Sequence, residues 1–119
     1  MARRLLFAIL FGLLALPVWA VELVMVEQSG CAWCAKWNRE ISAIYPKTPE
    51  GKTAPLRRVD LRAKPDDLTY ARNVNFTPTF ILIENGVELA RIEGYPGEDF
   101  FWGLLGMMLE QNTDFKGAS

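Results

Sequence analysis

Hydrophobic positions fall into short blocks along this chain, and the period changes from block to block. Val21 to Gln28, VELVMVEQ, is apolar and β-branched, which predicts a strand buried on both faces. Gly30 ends it. From Ala32 the period becomes helical: Trp33, Trp37, Ile41 and Ile44 share one face, while Lys36, Arg39 and Glu40 lie on others. Pro46 stops that helix. Pro46 to Pro55, PKTPEGKTAP, has three prolines and a glycine and predicts an exposed loop. Leu56 to Leu61, LRRVDL, is the next strand, made less apolar by Arg57 and Arg58. Pro65-Asp66-Asp67 suits the first turn of a short helix running to about Asn73.

Two clear strands follow, Thr79 to Glu84 (TFILIE) and Val87 to Glu93 (VELARIE). Asn85-Gly86 joins them, the pair best suited to a tight hairpin because both turn residues need positive φ. Gly94, Pro96 and Gly97 break the pattern, and Glu98-Asp99 opens a last helix. Its expected buried stripe is Phe101, Leu104, Leu105, Met108 and Leu109, with Met107 at the edge. The methionines read as core filling rather than metal ligands. The order β-α-β-α-β-β-α gives an α/β class. A parallel βαβ pair and an antiparallel hairpin would share one mixed four-stranded sheet, with helices on both faces.

The N-terminus has a different pattern. MARR is basic, Leu5 to Leu16 is an apolar run of twelve residues, Pro17 breaks it, and Val18-Trp19-Ala20 resembles a cleavage site. This predicts a secretory signal peptide over residues 1–20, cut after Ala20, and one domain over 21–119. The run falls short of the roughly 20 apolar residues of a membrane span, and an uncleaved anchor is the alternative. Loss of Arg3 and Arg4 leaves 11 basic residues against 14 acidic ones. With no basic patch, nucleic acid is not an expected partner. The chain has no histidine, which removes the commonest general base and metal ligand. Export, to the periplasm in a bacterium, implies an oxidising compartment where cysteines can pair.

The two cysteines, Cys31 and Cys34, lie in SGCAWCAKW, after the first strand and at the opening of a helix. Three readings are open. A closed zinc site needs four ligands, and two thiolates without imidazole fall short, although Cu(I) could bind two thiolates. An inert staple would close almost no loop and stabilise little. Redox exchange fits best. At a helix start, free N–H groups favour a thiolate on Cys31, and Cys34, one turn on, is within disulfide reach. Cys31 is then the expected nucleophile and Cys34 the resolving thiol. No cofactor and no metal are expected. Trp37 reads as core, whereas Trp33 lies beside the cysteines and is expected to be partly exposed.

CAWC at a strand-to-helix turn, Phe76-Thr77-Pro78-Thr79 before TFILIENGVELARIEG, and a closing amphipathic helix together resemble the thioredoxin superfamily. The resemblance covers Val21 to Asn112. Within the superfamily, SGCAWCAKWNREI, the proline-rich loop and APLRRVDL are most similar to the small periplasmic thioredoxin-like (SoxS-type) proteins of bacterial sulfur-oxidation systems. The superfamily resemblance implies a cis Pro78 facing the cysteine pair and a Thr77 backbone that pairs with an extended substrate segment. Trp33, beside the cysteines, is a further candidate for substrate binding. Two departures stand out: Ala-Trp replaces the Gly-Pro of thioredoxin between the cysteines, and Met25 stands where thioredoxin has a buried proton-relaying Asp. Glu27, on the same strand parity, is the candidate relay, against a simple solvated strand-end charge.

The expected activity is an exported thiol–disulfide oxidoreductase, a reductase in preference to an oxidase. Its substrate would be a cysteine-bearing periplasmic protein, such as a sulfur-oxidation carrier. A membrane thiol-reducing protein would supply electrons, since the chain has no third cysteine. A monomer is expected. The competing class is a Cu(I)-handling or non-catalytic binding module on the same fold.

Overall fold

The apolar run ahead of the cysteines forms β1, Glu22–Glu27, in this computed structural model, which describes residues 21–117. The expected signal peptide lies outside the described residues. Leu23, Val24, Met25 and Val26 are all buried, as a central strand with cover on both faces requires. The other strands are β2 (Leu56–Asp60), β3 (Thr79–Glu84) and β4 (Val87–Glu93), in the order β2-β1-β3-β4. β1 and β2 are parallel, while β1–β3 and β3–β4 are antiparallel, so the sheet is mixed as expected. Asn85 (φ 53°) and Gly86 (φ 82°) make the β3–β4 turn. Gly86 has a second constraint, because a Cβ there would collide with the Asp67 carbonyl.

The first helix has three parts. α1 spans Ala32–Trp37, widens into a π-helical turn over Asn38–Ser42, and ends in a 3-10 turn at Tyr45–Lys47. Trp37, Ile41 and Tyr45 are fully buried, whereas Ile44, expected on the same face, is exposed. The widened turn rotates the face away from Ile44. The proline-rich stretch is not all loop: Thr48 caps a short helix, α2 (Pro49–Thr53), by accepting from the Gly51 N–H at 3.0 Å. Gly51 is buried against the Tyr45 carbonyl, where no Cβ fits.

The helix expected over 65–73 does not form. Leu61 to Pro78 runs as turns and extended chain, with a single bridge between Thr69 and Val87. Its acids suit a helix start, but its apolar residues Leu68, Tyr70 and Val74 lack a sustained helical stripe. They cover the sheet without one. α3, Glu98–Asn112, closes the chain through Phe101, Leu105, Met108 and Leu109. Leu104, expected in that stripe, is exposed because it falls at the flank of the buried face, about 100° round the helix from Leu105.

The core therefore has two halves. On one face Leu23, Met25, Phe80, Leu82 and Ile92 meet the helices. There Trp37 lies 5.3 Å from Phe80 and 5.8 Å from Phe101, ring centre to ring centre. Each large side chain buried here contributes about 2–3 kcal/mol. On the other face Val24, Val26, Val59, Ile81 and Ile83 are covered by the irregular 61–78 segment.

Candidate functional site

β1 delivers its chain to a turn at Ser29-Gly30, where Gly30 takes φ 79°, and α1 starts immediately after. Cys31 is the N-cap of that helix. Its Sγ accepts a hydrogen bond from the Cys34 N–H at 3.0 Å, the place an oxygen takes in an ordinary cap. Cys31 and Cys34 form a disulfide. The two cysteines differ in access: Cys31 is partly exposed, whereas Cys34 is 3% exposed and belongs to the core. The helix start thus presents one cysteine and buries the other.

The same end of the sheet carries the start of β3. Val26 pairs with Thr79, so the residues just before β3 lie beside the end of β1. The Thr77–Pro78 peptide bond is cis, and Pro78 is buried. The Gln28 side-chain N–H donates to Thr77 Oγ1 at 2.9 Å, tying the turn before Cys31 to the residue before Pro78. On the other side the Gly94 N–H donates to the Pro78 carbonyl at 2.7 Å. Trp33, beside the cysteines, and Phe76, just before Thr77, are exposed aromatic side chains, 57% and 58% accessible. Cys31, Cys34, Thr77, Pro78 and Trp33 therefore gather at one end of the sheet.

Glu27 borders the shallow crevice beside Cys31 and Cys34, along with Gln28 and Asn38. Its carboxylate is held by Arg58 at 3.1 and 3.2 Å. Arg58 also donates to Ser42 Oγ at 2.9 Å and lies over the Trp37 ring at 5.8 Å. Met25 is fully buried beneath, its sulfur 3.6 Å from Arg58 Nη1. A second carboxylate, Glu40, accepts from Lys36 and from the Tyr95 hydroxyl, both at 2.6 Å. Those bonds hold the Glu40 carboxyl below its usual range. Burial, then the Glu40 contact, pushes the Tyr95 phenol well up, so it stays protonated.

The sequence assigns no site role to Gln28, Phe76 or Asn38. Asn38 was accessible through spacing alone, one helical turn after Cys34. Gln28 was not, because its partner is 49 residues away. The larger concavities lie elsewhere, at Val21, Pro55 and Asn85 and beneath Tyr70 and Asn73. Neither holds a thiol. Exchange on an extended polypeptide needs an open surface rather than an enclosed cavity.

A cysteine N-cap, its buried partner and a neighbouring cis proline define a thioredoxin-type site, and the chain belongs to the thioredoxin-like domain family, whose model matches residues 21–108. The chain is similar to the periplasmic thioredoxin SoxS from Paracoccus pantotrophus, solved in its reduced form. The identity is 50% and the TM-score 0.74, covering 76% of this chain and 97% of that one. Thioredoxin-2, a component of malaria parasite protein secretion machinery, is 25% identical at a TM-score of 0.53, over 73% of this chain and 82% of that one. Fasciola hepatica thioredoxin shares the fold at 21% identity and a TM-score of 0.55, over 75% and 81% of the two chains. No curated protein sequence matches the chain. The CxxC pair in this family makes the protein a thiol–disulfide oxidoreductase. Among the described residues no helix is long and apolar enough to cross a membrane.

Proposed function

We propose that this protein is a periplasmic reductase of protein disulfides, with Cys31 as nucleophile and Cys34 as resolving thiol. The observation that carries the roles is the cap: Cys31 is partly exposed and its Sγ already accepts a backbone N–H, while Cys34 is buried. An N–H donor at 3.0 Å favours the thiolate of Cys31 once the pair is reduced. That thiolate attacks one sulfur of a partner's disulfide. A Cys31–partner bond forms, the partner's S–S bond breaks, and the released sulfur leaves as a thiolate that takes a proton from water. Cys34 then loses its proton and attacks Cys31, forming the Cys31–Cys34 disulfide and releasing the partner's second thiol. The partner gains two electrons and the enzyme loses two. A dithiol donor, for which a membrane thiol-reducing protein is the candidate, reverses the loss.

Thr77 pairs by its backbone with an extended partner segment beside Pro78, and exposed Trp33 lies at the rim of that surface. Glu27 serves as the proton relay for Cys34, with Arg58 keeping it at the crevice. Export is supported by the N-terminal sequence and by the periplasmic relative. The proposed partner class is a cysteine-bearing carrier of sulfur oxidation.

The test is Cys34→Ser expressed in the native host. A mixed disulfide through Cys31 should accumulate and identify the partner by mass. No adduct, together with intact exchange in Cys31→Ser, would defeat the assignment of roles.

A further inference from the structure

We infer that Asn38 sets the redox balance of the cysteine pair by offering its side-chain oxygen to the thiol of Cys34 in the reduced form. Asn38 lies one turn after Cys34 and borders the same crevice as Cys31 and Cys34. Its backbone N–H donates to the Ala35 and Cys34 carbonyls, which holds the residue in the helical run just where the run widens. In the disulfide form its Oδ1 is buried and has no hydrogen-bond partner. Gln28, which lines the same crevice, is committed to Thr77, and the buried indole N–H of the preceding Trp37 makes no bond to this oxygen.

A buried acceptor left without a donor is costly, and the cost falls only on states that lack one. Reduction supplies the missing donor. The pair takes up two electrons and two protons from a dithiol, which becomes a disulfide; the S–S bond breaks, and Cys34, 3% exposed, holds its sulfur as S–H beside Asn38. The oxidised form is therefore the one that carries the unpaired oxygen, and Asn38 pulls the equilibrium toward the dithiol. A thiol is a weak donor, so the gain is that of a modest hydrogen bond. Asn38 is a positioning residue in this role, since it acts through Cys34 and touches no substrate.

This inference rests on the pair being a reversible redox couple, and one experiment separates the two ideas. Wild type and Asn38→Leu are equilibrated with mixtures of reduced and oxidised glutathione, and the dithiol fraction is measured by alkylation. The variant should favour the disulfide by about tenfold, or about 30 mV for a two-electron couple. Unfolding of both redox forms closes the cycle: the oxidised variant should be at least as stable as wild type, because the unpaired oxygen is gone, and any loss should fall on the reduced form. Asn38→Ala provides the same comparison if leucine disturbs the helix. Equal destabilisation of both forms, or an unshifted equilibrium, overturns the role of Asn38. A wild-type pair that cannot be cycled at all would instead overturn the oxidoreductase reading.

Discussion

The two faces of the sheet are covered by different means, one chiefly by packed aromatic side chains and the other by charged groups that bond to the covering backbone. The face of Leu23, Met25, Phe80 and Leu82 is closed by helices whose aromatic side chains fill volume. The face of Val24, Val26, Ile81 and Ile83 is closed by a segment with no regular structure, Leu61 to Pro78. That segment is pinned by polar groups. Arg91 in β4 pairs with Glu88 at 2.7 Å, both side chains 3% exposed. It also donates to the carbonyls of Arg72 and Asn73 at 2.9 and 3.1 Å. Glu88 in turn accepts the Ala71 N–H at 2.8 Å. Arg57 grips Asp67 with two bonds of 2.9 Å. The first face places the cysteines, and the second delivers Thr77 and Pro78 to them. A helix can be specified by apolar spacing, whereas a loop that must end in one conformation beside a reactive thiol needs bonds to its own backbone.

The helical face should break by loss of volume. Trp37 is fully buried against Tyr45, Phe80 and Phe101. Trp37→Ala should cost about 4 kcal/mol in urea unfolding. Trp37→Phe should cost about 1 kcal/mol, since the indole N–H has no partner and its removal forfeits no bond. Equal losses in the two variants would show that the ring's volume is not what this face requires.

The loop face should break by loss of charge complementarity. Arg91→Met leaves the buried Glu88 carboxylate with the Ala71 N–H but no opposite charge, at a cost of about 3 kcal/mol. The double variant Glu88→Leu with Arg91→Met should recover most of that stability, because two apolar side chains can replace a buried ion pair. Exchange activity should not recover with it. The carbonyls of Arg72 and Asn73 lose their donor, Thr77 and Pro78 are no longer held, and a displaced partner surface should slow exchange by roughly tenfold. A double variant with full activity would show that the clasp serves stability alone.

The same contrast explains what could be read from the sequence. The buried β1, the Asn85-Gly86 hairpin and the cysteines at a strand-to-helix turn follow from local patterns, and those elements form where expected. Pro65-Asp66-Asp67 carried a helix-start signal that the structure overrides, because the bonds that decide this segment come from Arg91, far along the chain, and end on backbone carbonyls. No side-chain pattern records a carbonyl partner. Thr48-Pro49-Glu50 held a capping signal for α2, but three prolines and a glycine outweighed it in the reading. Leu104 and Ile44 are apolar yet exposed, Leu104 at the flank of its stripe and Ile44 beyond the widened turn over Asn38–Ser42, and apolar character alone does not mark a helix position as buried.

The smallest effect tests the clasp by pH rather than by deletion. Burial alone would raise the Glu88 carboxyl, but the bonds from Arg91 and the Ala71 N–H outweigh it and hold the group below its ordinary value of 4.5. A lowered folded value means that the stabilisation is fully present above the ordinary value and is lost as pH falls through the folded one. Glu88→Gln mimics the protonated side chain at every pH. Wild type should therefore be more stable than Glu88→Gln by about 1 kcal/mol at neutral pH, the difference between a charged and a neutral hydrogen bond. The gap should narrow only below the ordinary carboxylate range, and amide exchange over 61–78 should quicken there while the amides of β1 and β3 stay protected. A gap that persists unchanged into acid would mean that the charge on Glu88 is not what fastens the loop. Simultaneous loss of protection on both faces would mean that loop and helices open as one unit.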